Sequence, residues 1–216
     1  MLTKKTKLNL RHIVILLIVV SLSCSCAARI PHAIVSDYKN RIPTSIAVLL
    51  VQNETTDMDA PKSFRPRLFN LIMVKGYKSL TTAVIDSKLA LKDIREAGQL
   101  GSMTPQEIGK YLNVDALLYT TVTEWSTTYL VVYSSMKVGA RFQLIDAKTG
   151  EQLWESEQEV AGRKFGLDDD VIGDAFAFAA FQAYDPYVEQ VINTAFSTLP
   201  NGPNSLPSEK GGCLQP

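Results

Sequence analysis

Histidine and cysteine are scarce in this chain: 216 residues contain two of the first and three of the second. His12 lies in a segment read below as removed on export, which leaves His32 with no evident partner. That argues against a Ser-His-Asp or Cys-His centre and a His-based zinc site, although Ser-Lys chemistry stays formally open. An excess of either charge is missing too. Lys plus Arg and Asp plus Glu each number 22, for a formal net charge of +0, so nothing favours a nucleic acid or an anionic membrane surface as partner. No G-x-G-x-x-G or G-x-x-x-x-G-K-[ST] phosphate loop is present, and no repeat of solenoid length. The expectation is a protein without cofactor, resident metal or catalytic residues.

What the sequence does have begins at its N-terminus. Residues 1–12 carry Lys4, Lys5, Lys7 and Arg11 and no acid, and Ile13 to Val20 form an apolar run too short to span a bilayer. Small residues then end at cysteine, the arrangement of a bacterial lipobox. Two frames fit: Ser21-Leu22-Ser23 before Cys24, or Ser23-Cys24-Ser25 before Cys26. Cys24 is the favoured acylation site and Cys26 the alternative; an ordinary signal with incidental cysteines is the bland reading. Several acyl chains on one cysteine make attachment effectively permanent. Neither Ser25 nor Ala27 is the aspartate associated with inner-membrane retention, so the expected address is the outer membrane, periplasmic face. With Cys24 acylated, Cys26 and Cys213 stay in an oxidising compartment and could pair.

The expected organisation is a signal peptide over 1–23, a tether over 24–44, one α/β domain over 45–199 and a disordered Pro- and Gly-rich tail over 200–216. Residues 45–53 read as a buried strand, being nearly continuously apolar. Phe64, Leu68, Leu71 and Ile72 recur at helical spacing, with Pro66 placed in a first turn and Gly76 as the stop. Residues 77–83 suggest a short strand, and residues 82–97 a second helix. Thr104 and Glu107 form a capping box around Pro105. Three long strands follow: 116–128, one from Met136 in which Val138, Ala140, Phe142 and Leu144 alternate with polar residues, and 151–162. Gly150 supplies the left-handed position of the turn between the last two. The predicted order is β-α-β-α-α-β-β-β-α, a mixed sheet with helices packed on it.

Polar clusters have structural explanations. Asp168, Asp169 and Asp170 sit where a helix start favours carboxylates. Glu155, Glu157 and Glu159 alternate on a strand as a solvated face. Residues 98–102 are glycine-rich only by count and read as a loop. Asn53-Glu54-Thr55 is a glycosylation sequon with no use in a bacterial lipoprotein. Aromatic residues offer candidate contacts: Phe176, Phe178 and Phe181 around an alanine-rich helix, and Trp125, Tyr129 and Tyr133 where the first two long strands join. Packing within the domain is the competing reading for both groups.

Three segments together resemble a known family. Asn53, Thr55, Ala60, Pro61, Ser63 and Phe64, then Asp115, Ala116, Leu118 and Tyr119, then Asp146, Thr149, Gly150, Leu153 and Trp154 reproduce its N-x-[ST] loop with A-P-x-S-F, its D-A-x-L-Y strand and its D-x-x-T-G-x-x-L-W hairpin. The family comprises bacterial lipoproteins of unknown function, known through a neisserial surface antigen studied as a vaccine candidate. The resemblance implies a fold similar to the TolB N-terminal domain and to CsgG. It further implies homodimers and association with other envelope lipoproteins or export components, and it brings no catalytic residues. Asn113-Val114 departs from the Gly-Ala of many relatives. The function expected is a non-enzymatic adaptor or scaffold in a cell-envelope assembly. The alternatives are a CsgG-like channel subunit and a peptidoglycan- or ligand-binding regulator. A Cys24→Ser variant is expected to lose its acyl mass and a Cys26→Ser variant to keep it, as read by intact mass of membrane-extracted protein.

Overall fold

The computed structural model describes residues 30–130, 133–165 and 184–205. Cys24, Cys26, Cys213, the acidic run 168–170 and Phe176, Phe178 and Phe181 lie outside the described residues. Six strands make one mixed sheet: β1 (His32–Ile34), β2 (Ile46–Val48), β3 (Gln52–Asn53), β4 (Ala116–Leu130), β5 (Tyr133–Asp146) and β6 (Gln152–Phe165). Their spatial order is β1-β6-β5-β4-β2, with β3 also on β4. β2 and β3 run parallel to β4, and the remaining pairs are antiparallel. The helices are α1 (Ala60–Val74), α2 (Thr82–Ala90), α3 (Pro105–Leu112) and α4 (Asp185–Phe196).

β2 is apolar on both sides because it is buried on both sides. Ile46 and Val48 join a main core with α1 and α4, while Ala47 and Leu49 join a second core with α2 and α3. The main core continues along β5 through Val138, Ala140, Phe142 and Leu144, as the alternation predicts. Trp154 is fully buried there, its Nε1 donating to Thr198 Oγ1 at 3.0 Å. The opposite side of β5 and β6 is solvated, with Arg141 paired to Glu157 and Lys137 to Glu159. Among the described residues no helix is long and apolar enough to cross a membrane.

Three helices end in the same way. Gly76, Asp93 and Asn113 adopt positive φ of 84°, 59° and 59°. The next N–H returns to the carbonyl five residues back: Tyr77 to Ile72, Ile94 to Leu89 and Val114 to Gly109. This is the Schellman arrangement, which favours glycine and then asparagine at the left-handed residue. Asn113 is thus one of the two residue types this left-handed site favours. Gly76 is confined further, because a Cβ there would lie 2.1 Å from Ser205 N.

Several expectations need correction. Residues 30–44 do not form a free tether: β1 pairs with β6, and Tyr38 is buried with its hydroxyl 3.0 Å from that of Tyr77. The start of the expected tail is also held, with the N–H groups of Gly202 and Asn204 on the carbonyls of Lys75 and Gly76. Pro66 is inside α1, not in its first turn, because the Asp57 carboxylate accepts from Asp59 and Ala60 and starts the helix earlier. The expected strand at 77–83 amounts to a single bridge, Ser45 to Lys78. The second helix stops at Ala90, because the left-handed Asp93 turns Ile94 back into the second core. Residues 98–102, read as a loop, belong to a 3-10 turn over Ala97–Ser102 that buries Leu100. Asn113→Ala should lower stability by about 1–2 kcal/mol in urea denaturation, whereas Asn113→Gly should be close to neutral.

Candidate functional site

The polar motif residues converge on corners of the fold, while Phe64, Leu118 and Trp154 join the main core. Asp115 Oδ2 accepts from the N–H groups of Thr44 and Ser45 and from Ser45 Oγ, at 3.1, 3.0 and 2.9 Å. In return the Asp115 N–H donates to Ser45 Oγ at 3.0 Å. At the next corner Asp146 Oδ1 accepts from the N–H groups of Lys148 and Thr149, and its Oδ2 accepts from Arg41 at 2.9 Å. Arg41 also pairs with Glu151 at 2.7 Å. Partial burial alone would push the Asp146 carboxyl up; the Lys148 N–H, Arg41 and the Thr149 N–H outweigh it and hold the group below its ordinary value. Gly150, at φ 76°, completes the turn, and Gln106 reaches it by donating to the Thr149 carbonyl at 2.8 Å. Asn53 Oδ1 accepts from Thr55 N and Oγ1, so the sequon residues shape a turn.

A second polar knot joins both ends of the domain. Tyr77 donates to the Pro200 carbonyl at 2.6 Å, and its hydroxyl meets that of Tyr38. Burial pushes the Tyr77 phenol far above its ordinary value, with the Tyr38 contact adding to the shift, so it stays protonated. Among the described residues no group of three or more His, Cys, Asp or Glu side chains is placed to hold a metal ion.

A crevice of about 560 Å³ lies beside Leu50 and Val51, where the chain leaves β2. It opens at the carboxyl end of the parallel strands, between α1 on one face of the sheet and the α2 side on the other. This is the location where open α/β sheets commonly bind ligands. Met58, Pro61, Lys62 and Arg95 line it, with Met58 82% exposed. Arg65 forms one wall and ties the helices together: its guanidinium donates twice to Asp86, at 2.6 and 2.8 Å, and once to the Val48 carbonyl at 3.3 Å. Its buried Nε has no hydrogen-bond partner among the described residues. The sequence reading missed this crevice, because its lining comes from three separated segments with no motif in common.

The candidate contact residues fall elsewhere. Trp125 is half-buried, stacked on Tyr184 with ring centroids 4.1 Å apart and planes 12° apart. It reaches the main core through a bulge: Val122 faces Ala140 and Glu124 faces Gly139, so Thr123 is an extra residue that moves Trp125 to the core side. Tyr129 and Tyr133 stand in register at the hairpin end, opposite Ser134 and Leu130.

Comparison with known proteins is consistent with this architecture. The profile of the family described as "Putative lipoprotein GNA1162-like" matches residues 35–196. The putative lipoprotein NMB1124/NMB1162 of Neisseria meningitidis serogroup B is 26% identical over 142 residues, 66% of this chain. The match spans 66% of that relative's own length, just under two thirds. The crystal structure of lipoprotein GNA1162 from Neisseria meningitidis superposes with a TM-score of 0.52 at 24% identity, over 70% of this chain and 99% of that one. The PelC dodecamer structure from Paraburkholderia phytofirmans gives 0.45 at 15% identity, over 77% and 98% of the two chains.

The depressed Asp146 carboxyl sets a pH dependence. Its stabilisation is fully present above the unfolded-state value of about 3.9 and drains away as pH falls toward the lower folded value. Asp146→Asn is expected to flatten this acid limb and to lower stability at neutral pH, as followed by urea midpoints between about pH 3 and 7.

Proposed function

The chain belongs to the GNA1162-like lipoprotein family, and on that premise we propose that it is a lipid-anchored adaptor of the cell envelope. In this reading Cys24, or alternatively Cys26, carries the lipid, the outer membrane holds it, and the domain works on the periplasmic side. It acts by binding, as a homodimer and with other envelope lipoproteins or export components, and not by catalysis. The observation that carries the reading is where the family's motif residues go. Asn53, Asp115, Asp146 and Thr149 direct their polar atoms to backbone and side chains of the domain itself. The most distinctive polar groups thus build a scaffold, and the crevice beside α1 is the recess left for a partner.

A CsgG-like channel subunit is the second reading. It is favoured by the length of β4 and β5, 15 and 14 residues, where a membrane strand needs about 9–11. Against it, the inner halves of both strands carry the main core through Leu118, Val122, Val138 and Phe142.

The test is mild extraction of the full-length lipoprotein and identification of what co-purifies. Wild type should bring a stoichiometric envelope protein. Met58→Glu should reduce its recovery several-fold without shifting thermal unfolding, since Met58 is exposed. Recovery of no stable protein partner would count against the adaptor.

A further inference from the structure

The corrected N-terminal segment has a consequence for how the protein sits on its membrane. A tether reaching Thr44 would leave the domain free to tumble far from the lipid. Instead the chain is captured at its thirty-first residue. The Pro31 carbonyl accepts from Ser156 Oγ at 2.9 Å and from Gln158 Nε2 at 3.1 Å, and His32–Ile34 then pair with residues 154–156 of β6. From Cys24 to Ile30 is six residue steps, and from Cys26 it is four. Even fully extended, these reach only about 21 Å and about 14 Å.

The point of capture is also at one extreme of the sheet. β1 is the outermost strand, and the order β1-β6-β5-β4-β2 places β2 four strand spacings away, about 19 Å. Over β2 on the second-core face lies α2, and the crevice opens beside β2 at the same end of the sheet. Either leash reaches the β1–β6 edge easily; from Cys24 it spans little more than the sheet's own width, and from Cys26 it falls short of it.

From these two facts we propose that the domain rides edge-on, its β1–β6 edge against the phospholipid headgroups and its crevice and α2 turned away from the bilayer. The proposal rests on the acylation assigned under the proposed function. Contour length favours the orientation, and once Lys4, Lys5, Lys7 and Arg11 leave with the signal the acids outnumber the bases, so no basic excess draws another face to the headgroups. The edge strand presents Ile34, 38% exposed, among polar neighbours, a modest apolar contact compatible with headgroups. On the far side Met58 and Leu91, 82% and 80% exposed, are displayed where a periplasmic partner can reach them. The two sides of the molecule thereby acquire different jobs: one faces lipid, the other protein.

Photo-crosslinking from a phosphatidylethanolamine with a diazirine on its headgroup tests this on the full-length lipoprotein in its own membrane vesicles. Peptide mass spectrometry locates the adducts, and intact mass on the same sample reports acylation. Adducts at residues 30–36 and 157–163 should exceed those at Met58, Val84 and Leu91 several-fold. In acylated protein, adducts at Leu91 and Met58 as frequent as on the edge would overturn the orientation while leaving the lipoprotein reading intact. A chain with no acyl mass would overturn both.

Discussion

The parallel pairing of β2 on β4, started by the reciprocal bonds of Asp115 and Ser45, is the constraint from which the two cores follow. Parallel strands need a crossover between them, and the crossover here supplies helices to both faces. With Ile46 opposite Ala116, side chains of β2 alternate between the main core and the second core, so a slip of one residue would exchange them. An aspartate that accepts three hydrogen bonds from residues 44 and 45 makes such a slip costly. The crevice is a by-product of the same pairing: helices leaving to opposite faces open a gap at the strands' carboxyl ends.

A division of labour runs through the molecule. Several residues of the three segments singled out in the sequence sit at corners: Asp115 just before β4, Asp146 and Gly150 in the β5–β6 turn, Asn53 at the end of β3. They hold register and turn geometry, and the side chains that could meet a partner, such as Met58 and Leu91, are ones no motif contains. The buried Nε of Arg65 stands between the two roles, since the rest of its guanidinium ties α1 to α2 and this one donor is left at the crevice wall.

Local signals were legible in the sequence and long-range ones were not. The Thr104–Glu107 capping box is formed in both directions, with Thr104 N–H on Glu107 Oε2 at 2.7 Å and Glu107 N–H on Thr104 Oγ1 at 3.2 Å. The alternation from Val138 to Leu144 and the turn at Gly150 are likewise written in adjacent residues, as is the mixed α/β class. β1 was invisible because His32, Ala33 and Ile34 are exposed and become a strand only through β6. The bulge at Thr123 was invisible because a strand rich in Thr and Tyr shows no break in pattern when its faces exchange. The crevice needed residues 50–66, 82 and 95–97 brought together in space. The structure describes none of the residues carrying the lipobox, so that reading stands on the sequence and the family.

Native mass spectrometry of the lipoprotein extracted from its own membranes tests the central claim most directly. The account predicts an acylated protomer in a dimer, alone or with a second envelope protein. A large homo-oligomeric ring would contradict the adaptor in favour of a channel, and an unacylated monomer without partners would contradict the account altogether.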